Sequence, residues 1–121
     1  MSRHEPAVTL RQLDELCAEI REIVTGHTLE TLLTDRVRTR AWERVMELIG
    51  EATKRLPVEL RARYGAVDWA GAAGMRDWIV HGYDGIDHDI LWRATHDKLP
   101  DFRETVRAML ADLEAEKYAG S

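Results

Sequence analysis

The chain has 121 residues, of which 45% are apolar and 32% charged, and it contains a single cysteine. This length is enough for one domain over residues 1–121, while the lone cysteine excludes an internal disulfide framework and favours a reducing compartment. The net charge of -5 excludes a generally basic, sequence-indifferent RNA-coating protein. No stretch has the roughly 18 apolar residues of a membrane span, and the N-terminus lacks a signal-peptide core, so we expect a soluble cytoplasmic protein.

The first half of the chain predicts helices, because apolar residues recur at intervals of three and four. One helix ends at Gly26, a short one follows Thr28, and Asp35 is expected to cap a longer helix from about Arg36 to Arg55. The expected inward face of this longer helix consists of Val37, Ala41, Val45, Leu48, Ile49 and Ala52.

The second half predicts a brief helical piece at residues 58–63 and then a helix over residues 69–80, capped by Asp68. The run of small residues at 70–74 is costly, since a helical glycine is about 1 kcal/mol less favourable than alanine, and close approach of another helix would explain it. Asp87 is expected to cap the next helix, and Leu99–Pro100–Asp101 to restart the chain into a last helix that runs toward Glu116.

These elements predict an all-α fold with four principal helices. With short accessory helices between them, the simplest arrangement is an up-and-down four-helix bundle. No internal repeat or long linker divides the chain, so a single domain is expected.

The charge is unevenly distributed. Residues 1–35 carry 3 basic and 7 acidic side chains, residues 36–63 carry 8 and 4, and residues 64–121 carry 6 and 11. The middle part is therefore basic within an acidic protein. A solvated helix face with ion pairs explains such a stretch. The uneven charge distribution is also compatible with a small arginine-lined cleft that admits RNA.

The segment over residues 75–87 places a permanent cation, an imidazole and a phenol close together in the sequence, as Arg76, His81 and Tyr83. Five helical residues amount to about 7.5 Å of rise, so Arg76 and His81 would flank a groove of the kind that suits an extended phosphodiester. A guanidinium holds phosphate oxygens, and an imidazole exchanges protons near neutral pH. The pair could therefore cleave RNA through its own 2'-hydroxyl without a metal.

Two structural alternatives remain open for this segment. Arg76 could simply pair with a nearby aspartate, and His81 could merely cap its helix. A metal site is also conceivable, but the spacing matches neither a calcium loop nor a zinc set, so we expect no metal and no cofactor. The residues considered for it are His81, Asp84, Asp87, His88 and Asp89.

The wider pattern resembles the HepT-like toxins of the HEPN superfamily. The likeness includes the Arg-x4-His-x-Tyr spacing of Arg76, His81 and Tyr83, followed by residues 85–87 and later by Leu99–Pro100. It extends upstream to residues 47–52, 54–56 and 69–75, and it covers roughly residues 8 to 115 in the order and spacing of the family.

This resemblance implies a helical, metal-independent endoribonuclease that works as a homodimer, with Arg76 and His81 as catalytic residues at a shared cleft. It also implies a nucleotidyltransferase partner that acts as antitoxin by transferring AMP from ATP onto Tyr83. Each added nucleotide would bring negative charge and bulk to a cleft that must admit RNA.

The chain departs from the family pattern at Asp77, where asparagine is common. An acid there would pair with Arg76 and weaken its hold on phosphate. The alternative function is therefore a non-catalytic helical module that binds a nucleotidyltransferase.

Overall fold

The computed structural model describes residues 5–80 and 85–119, and these form an all-α bundle. The principal helices are α1 (Pro6–Val24), α3 (Arg36–Lys54), α5 (Trp69–Val80) and α7 (Leu99–Ala119). Shorter helices are α2 (Leu29–Thr34), α4 (Val58–Ala62) and α6 (His88–Arg93). Within the described ranges there is no strand, which confirms the predicted fold class. None of the helices in those ranges is both long enough and apolar enough to cross a membrane.

Aspartate caps begin three of the helices, as the sequence predicts. In each case a carboxylate oxygen accepts a hydrogen bond from the backbone N–H three residues further on, which satisfies a donor that the first helical turn leaves unpaired. The pairs are Asp35 with Arg38 at 3.0 Å, Asp68 with Gly71 at 3.0 Å, and Asp87 with Ile90 at 3.2 Å.

The core lies where α3 packs against both α1 and α5, and where α1 packs against α7. Trp42 of α3 is fully buried at its centre, and its indole Nε1 donates a hydrogen bond to Thr95 Oγ1 at 3.0 Å. This bond satisfies the one polar atom of the buried indole and links α3 to the segment between α6 and α7. The other fully buried large side chains include Leu10, Leu13, Ile20, Leu32, Met46, Val106 and Met109.

The predicted inward face of α3 was wrong at its N-terminal end. Val37 is 81% exposed and Ala41 is exposed, whereas Trp42 and Met46 are fully buried. Trp42 and Met46 each follow a predicted position by one residue, which corresponds to a rotation of about 100° around the helix axis at this end, while Ile49 and Ala52 are buried as predicted. The larger apolar side chains face the core because they remove more surface from water. The buried residues of α3 are Thr39, Trp42, Met46, Ile49, Gly50, Ala52 and Thr53.

The predicted helix restart at Leu99 was also wrong, because the chain stays helical before it. A π-helical turn over Ala94–Lys98 joins α6 directly to α7. Pro100 has no N–H to donate to the preceding turn, and the N–H of Leu99 before it donates to the carbonyl of Ala94, five residues back. Thr95 in this turn is buried and donates a hydrogen bond to the carbonyl of Leu91 at 2.8 Å.

Candidate functional site

The backbone of Arg76 is fixed by an unusually close contact between α3 and α5. A Cβ built on Gly50 of α3 would lie 2.7 Å from the backbone N of Arg76 and 2.9 Å from the carbonyl O of Ala72. Side-chain carbons do not come this close to backbone atoms, so only glycine fits at this crossing. The position of Arg76 is thus set by packing of two long helices.

This contact corrects the explanation that the sequence analysis offered for the glycines of α5, namely close approach of another helix to them. A Cβ on Gly74 would meet nothing within 4 Å, and one on Gly71 would meet only the capping carboxylate of Asp68. Packing inside the described chain therefore does not require glycine at position 74, and at position 71 an added Cβ would have to displace the capping carboxylate. The close approach that the small-residue run suggested is made instead from α3, at Gly50.

The guanidinium of Arg76 takes part in a three-residue ion-pair bridge. Its Nη1 lies 3.1 Å from Asp77 Oδ1, and the other oxygen of the same carboxylate, Oδ2, lies 2.9 Å from Nζ of Lys54. The side chains of Lys54, Asp77 and Arg76 are 42%, 51% and 38% exposed, so the bridge is at the surface. The expected pairing of Asp77 with Arg76 is confirmed, and Lys54 joins it.

The bridge keeps Asp77 ionised. Hydrogen bonds from Lys54 and then from Arg76 lower the pKa of this carboxyl below its ordinary value, because both favour the charged form. At neutral pH the site therefore consists of two cations that share one carboxylate. Lys54 could not be assigned to this site from the local sequence, since it lies 23 residues before Asp77 and the contact of α3 with α5 brings the two together.

The two other residues assigned to the site, His81 and Tyr83, lie outside the described residues. Their catalytic and modification roles stay predictions. The last described residue before them is Val80, the end of α5, and Gly85 follows with a φ of +99°, in the left-handed region that favours glycine.

The residues considered for a metal site have other roles where the structure describes them. Asp87 caps α6, and His88 Nε2 lies 2.6 Å from Glu43 Oε2, with its ring stacked on Trp42. Asp84, like His81, is outside the described residues. Across residues 5–80 and 85–119, no three His, Cys, Asp or Glu side chains are grouped so that they could hold a metal ion.

The single cysteine is buried in the core. Cys17 is 2% exposed, and loss of hydration raises the pKa of its thiol to about 12. A thiol in this state has almost no reactive thiolate at neutral pH, so Cys17 is part of the packing of α1.

A large groove in the described residues is not lined by Arg76. It has a volume of about 810 Å³ and runs between α1 and the π-helical turn with the start of α7. Its lining mixes apolar and charged side chains, including Ile20, Val24, Leu99, Arg21, Arg103 and Arg107. None of Lys54, Arg76 and Asp77 contributes to it. The ion-pair bridge is thus an open surface site outside this groove.

Comparison with known proteins identifies relatives over nearly the whole chain. A family model described as Ribonuclease HepT-like matches residues 13–109. The chain is 36% identical over 105 residues to "Putative RNase TTE0752" of Caldanaerobacter subterraneus subsp. tengcongensis, which covers 87% of this chain and 94% of the relative. It is 30% identical over 94 residues to "Probable ribonuclease HepT" of Thermococcus cleftensis, covering 78% and 86%. No solved structure matches the chain.

Proposed function

Because this chain belongs to the HepT-like ribonuclease family of HEPN proteins, we propose that it is a toxin that cleaves RNA as a metal-independent endoribonuclease in the cytoplasm. The family match over residues 13–109 is the observation that supports the activity, and the exposed guanidinium of Arg76 supports its location. The relatives are named as ribonucleases, and the side chains of Lys54 and Arg76 supply two cations at the surface.

In the proposed reaction His81 removes the proton from a ribose 2'-hydroxyl, and the oxygen attacks the adjacent phosphorus. The P–O5' bond breaks, a 2',3'-cyclic phosphate forms, and the departing 5'-oxygen takes up a proton from the imidazolium or from water. Arg76 stabilises the negative charge that develops on the phosphoryl oxygens. All the atoms of the reaction come from the RNA and one exchanged proton, so the scheme needs no metal.

The catalytic proposal is tested by incubating the purified protein with RNA in EDTA. The parent should cleave the RNA, and Arg76→Ala and His81→Ala should each lose at least 100-fold in rate, about the contribution of one acid–base or charge-stabilising group. His27→Ala is the matched control, since His27 is a partly exposed histidine of a connector whose ring nitrogen is hydrogen-bonded to Thr31. Undiminished cleavage by the two variants would contradict the residue assignment, and loss of activity in EDTA would indicate a metal enzyme.

We also propose that the protein acts as a homodimer through the outer face of α5. Ala70, Gly74 and Trp78 are exposed at intervals of four residues, so they share one face of the helix, and Trp78 is an exposed large apolar residue at 38%. Sedimentation should give a dimer for the parent and a monomer for Trp78→Asp; an unchanged dimer would place the interface elsewhere.

Regulation is proposed to occur by transfer of AMP onto Tyr83 by a nucleotidyltransferase antitoxin. Incubation with ATP and the cognate enzyme should raise the intact mass by AMP increments in the parent and in Tyr118→Phe, but not in Tyr83→Phe. An equal rise in Tyr83→Phe would exclude this site.

The pairing of Arg76 with Asp77 favours one second candidate, a non-catalytic module that binds a nucleotidyltransferase. In that case Asp77 occupies the guanidinium permanently. The parent would bind the enzyme but would not cleave RNA under any of these conditions.

A further inference from the structure

The bridge between Lys54, Asp77 and Arg76 has the form of an occupied anion site. Two cations from different helices bind the two oxygens of one carboxylate, at 2.9 Å and 3.1 Å. A phosphodiester also carries one negative charge and two equivalent oxygens, and both ammonium and guanidinium groups bind it. The two nitrogens are therefore spaced to share a single phosphodiester group.

The two cations are held by the helices that carry them. Lys54 is the last residue of α3, and the backbone of Arg76 lies against Gly50, one turn earlier on the same helix. Their relative position is thus determined by the contact of α3 with α5. The carboxylate between them is 51% exposed, and exposed ion pairs of this kind contribute little to stability. An incoming anion can therefore replace the carboxylate at small cost.

We propose that Lys54 and Arg76 together form the binding site for an RNA phosphodiester, and that Asp77 occupies this site in the RNA-free protein and is displaced by RNA. The inference rests on the proposed function, because it takes RNA as the ligand. It adds Lys54 as a second phosphate-binding residue and makes Asp77 a competitor for the site rather than a defect in it.

Binding is measured by fluorescence anisotropy with a labelled single-stranded 2'-O-methyl RNA, which lacks the attacking hydroxyl and cannot be cleaved. Each phosphate contact on a single strand contributes about 0.7 to the slope of log K against log salt concentration. At 0.1 M salt this corresponds to about a fivefold change in affinity. Lys54→Gln should therefore bind about fivefold more weakly with a slope lower by about 0.7. Asp77→Asn, which frees both cations, should bind more tightly.

Arg44→Gln is the matched control, because it removes the same charge from an exposed position of the same helix. Arg44 pairs with Glu47 and lies ten residues before Lys54, about 15 Å along α3. Its affinity and salt slope should stay close to those of the parent. If Lys54→Gln changes no more than Arg44→Gln, Lys54 does not bind RNA and the proposal is wrong.

The double variant Lys54→Gln/Asp77→Asn separates direct contact from positioning. If Lys54 contacts phosphate, its loss weakens binding in the Asp77→Asn background as it does in the parent. If Lys54 only holds Asp77 in place, the effect of Lys54→Gln disappears in that background, and the proposal is overturned. The three side chains are exposed, so we expect all variants to keep the helical circular dichroism of the parent.

A cleavage assay on the same variants distinguishes this inference from the proposed function. Lys54→Gln should raise KM about fivefold with a smaller change in kcat, since the contact forms on binding. A parent that cleaves RNA together with an unaffected Lys54→Gln would refute the phosphate site alone. A parent that does not cleave RNA would refute the proposed activity, while the binding measurements would still decide whether Lys54 and Arg76 form an anion site.

Discussion

Substitution of Gly50 by alanine tests whether the contact of α3 with α5 depends on glycine. The added Cβ would overlap backbone atoms of Arg76 and Ala72, at 2.7 Å and 2.9 Å, and neither can rotate away as a side chain would. Overpacking of this kind costs about 1–3 kcal/mol, and the better helix propensity of alanine returns about 1 kcal/mol. Because two backbone atoms are overlapped at once, we expect a net loss of about 1–2 kcal/mol in the free energy of unfolding.

The measurement is urea unfolding followed by circular dichroism, with Gly74→Ala as the matched control. Gly74 is also in the interior of a helix, but its added Cβ would meet no atom of the described residues within 4 Å, so this variant should gain up to about 1 kcal/mol. Unfolding at two protein concentrations separates any effect on self-association. If Gly50→Ala were as stable as Gly74→Ala, the close helix contact would not be what requires glycine at position 50.

Three further predictions concern buried and charged groups of the described structure. The thiol of Cys17, with a pKa of about 12, should not react with a thiol reagent at pH 8 until urea unfolds the protein. Thr95→Val removes the hydroxyl that accepts from the buried indole of Trp42 and should cost about 1–3 kcal/mol in urea unfolding, because the N–H is left without a partner. Asp77 should titrate by carboxyl NMR below its ordinary value of 3.8, and Lys54→Gln should raise that midpoint toward the ordinary value.

Each of these predictions has its own control or contrary result. Rapid labelling of the folded protein would show that Cys17 is accessible. Thr53→Val is the control for Thr95→Val, since the buried hydroxyl of Thr53 donates to the carbonyl of Ile49 in its own helix and its loss should change stability little. Because the pKa of Asp77 is lowered on folding, the ionised carboxylate stabilises the folded state. This contribution to the free energy of unfolding is complete above about pH 5 and is lost as the pH falls through the lowered pKa. An unchanged Asp77 midpoint in Lys54→Gln would contradict the bridge.

The helix ends could be predicted from sequence because their chemistry is local. Asp35, Asp68 and Asp87 each bond to a backbone N–H three residues away, so spacing alone identifies them. The buried face of α3, by contrast, is determined by contacts with residues that are distant in the sequence. Val37 and Trp42 both fit an apolar stripe, and the choice between stripes was made by the helices that pack against α3.

In the candidate site, too, the local sequence predicts some features and the packing of helices determines others. Arg76 and its neighbour Asp77 are adjacent in the chain, and their pairing was expected from sequence. Lys54 is brought to them only by the close contact at Gly50, and a single glycine in a helix does not indicate which helix approaches it. The residues of one helix were therefore predictable, while the cation supplied by the second helix was not.

The π-helical turn limits how the length of this chain can vary. Leu91, Thr95 and Leu99 are all buried at intervals of four residues, whereas an ideal α-helix would rotate by about 80° over that span beyond two full turns. The wider turn keeps the three on one side of the helix. Loss of one residue from Ala94–Lys98 would turn the side of α6 that packs on Trp42 away from it. Insertions and deletions in natural relatives are therefore expected in the loops between other helices and not in the π-helical turn that joins α6 to α7.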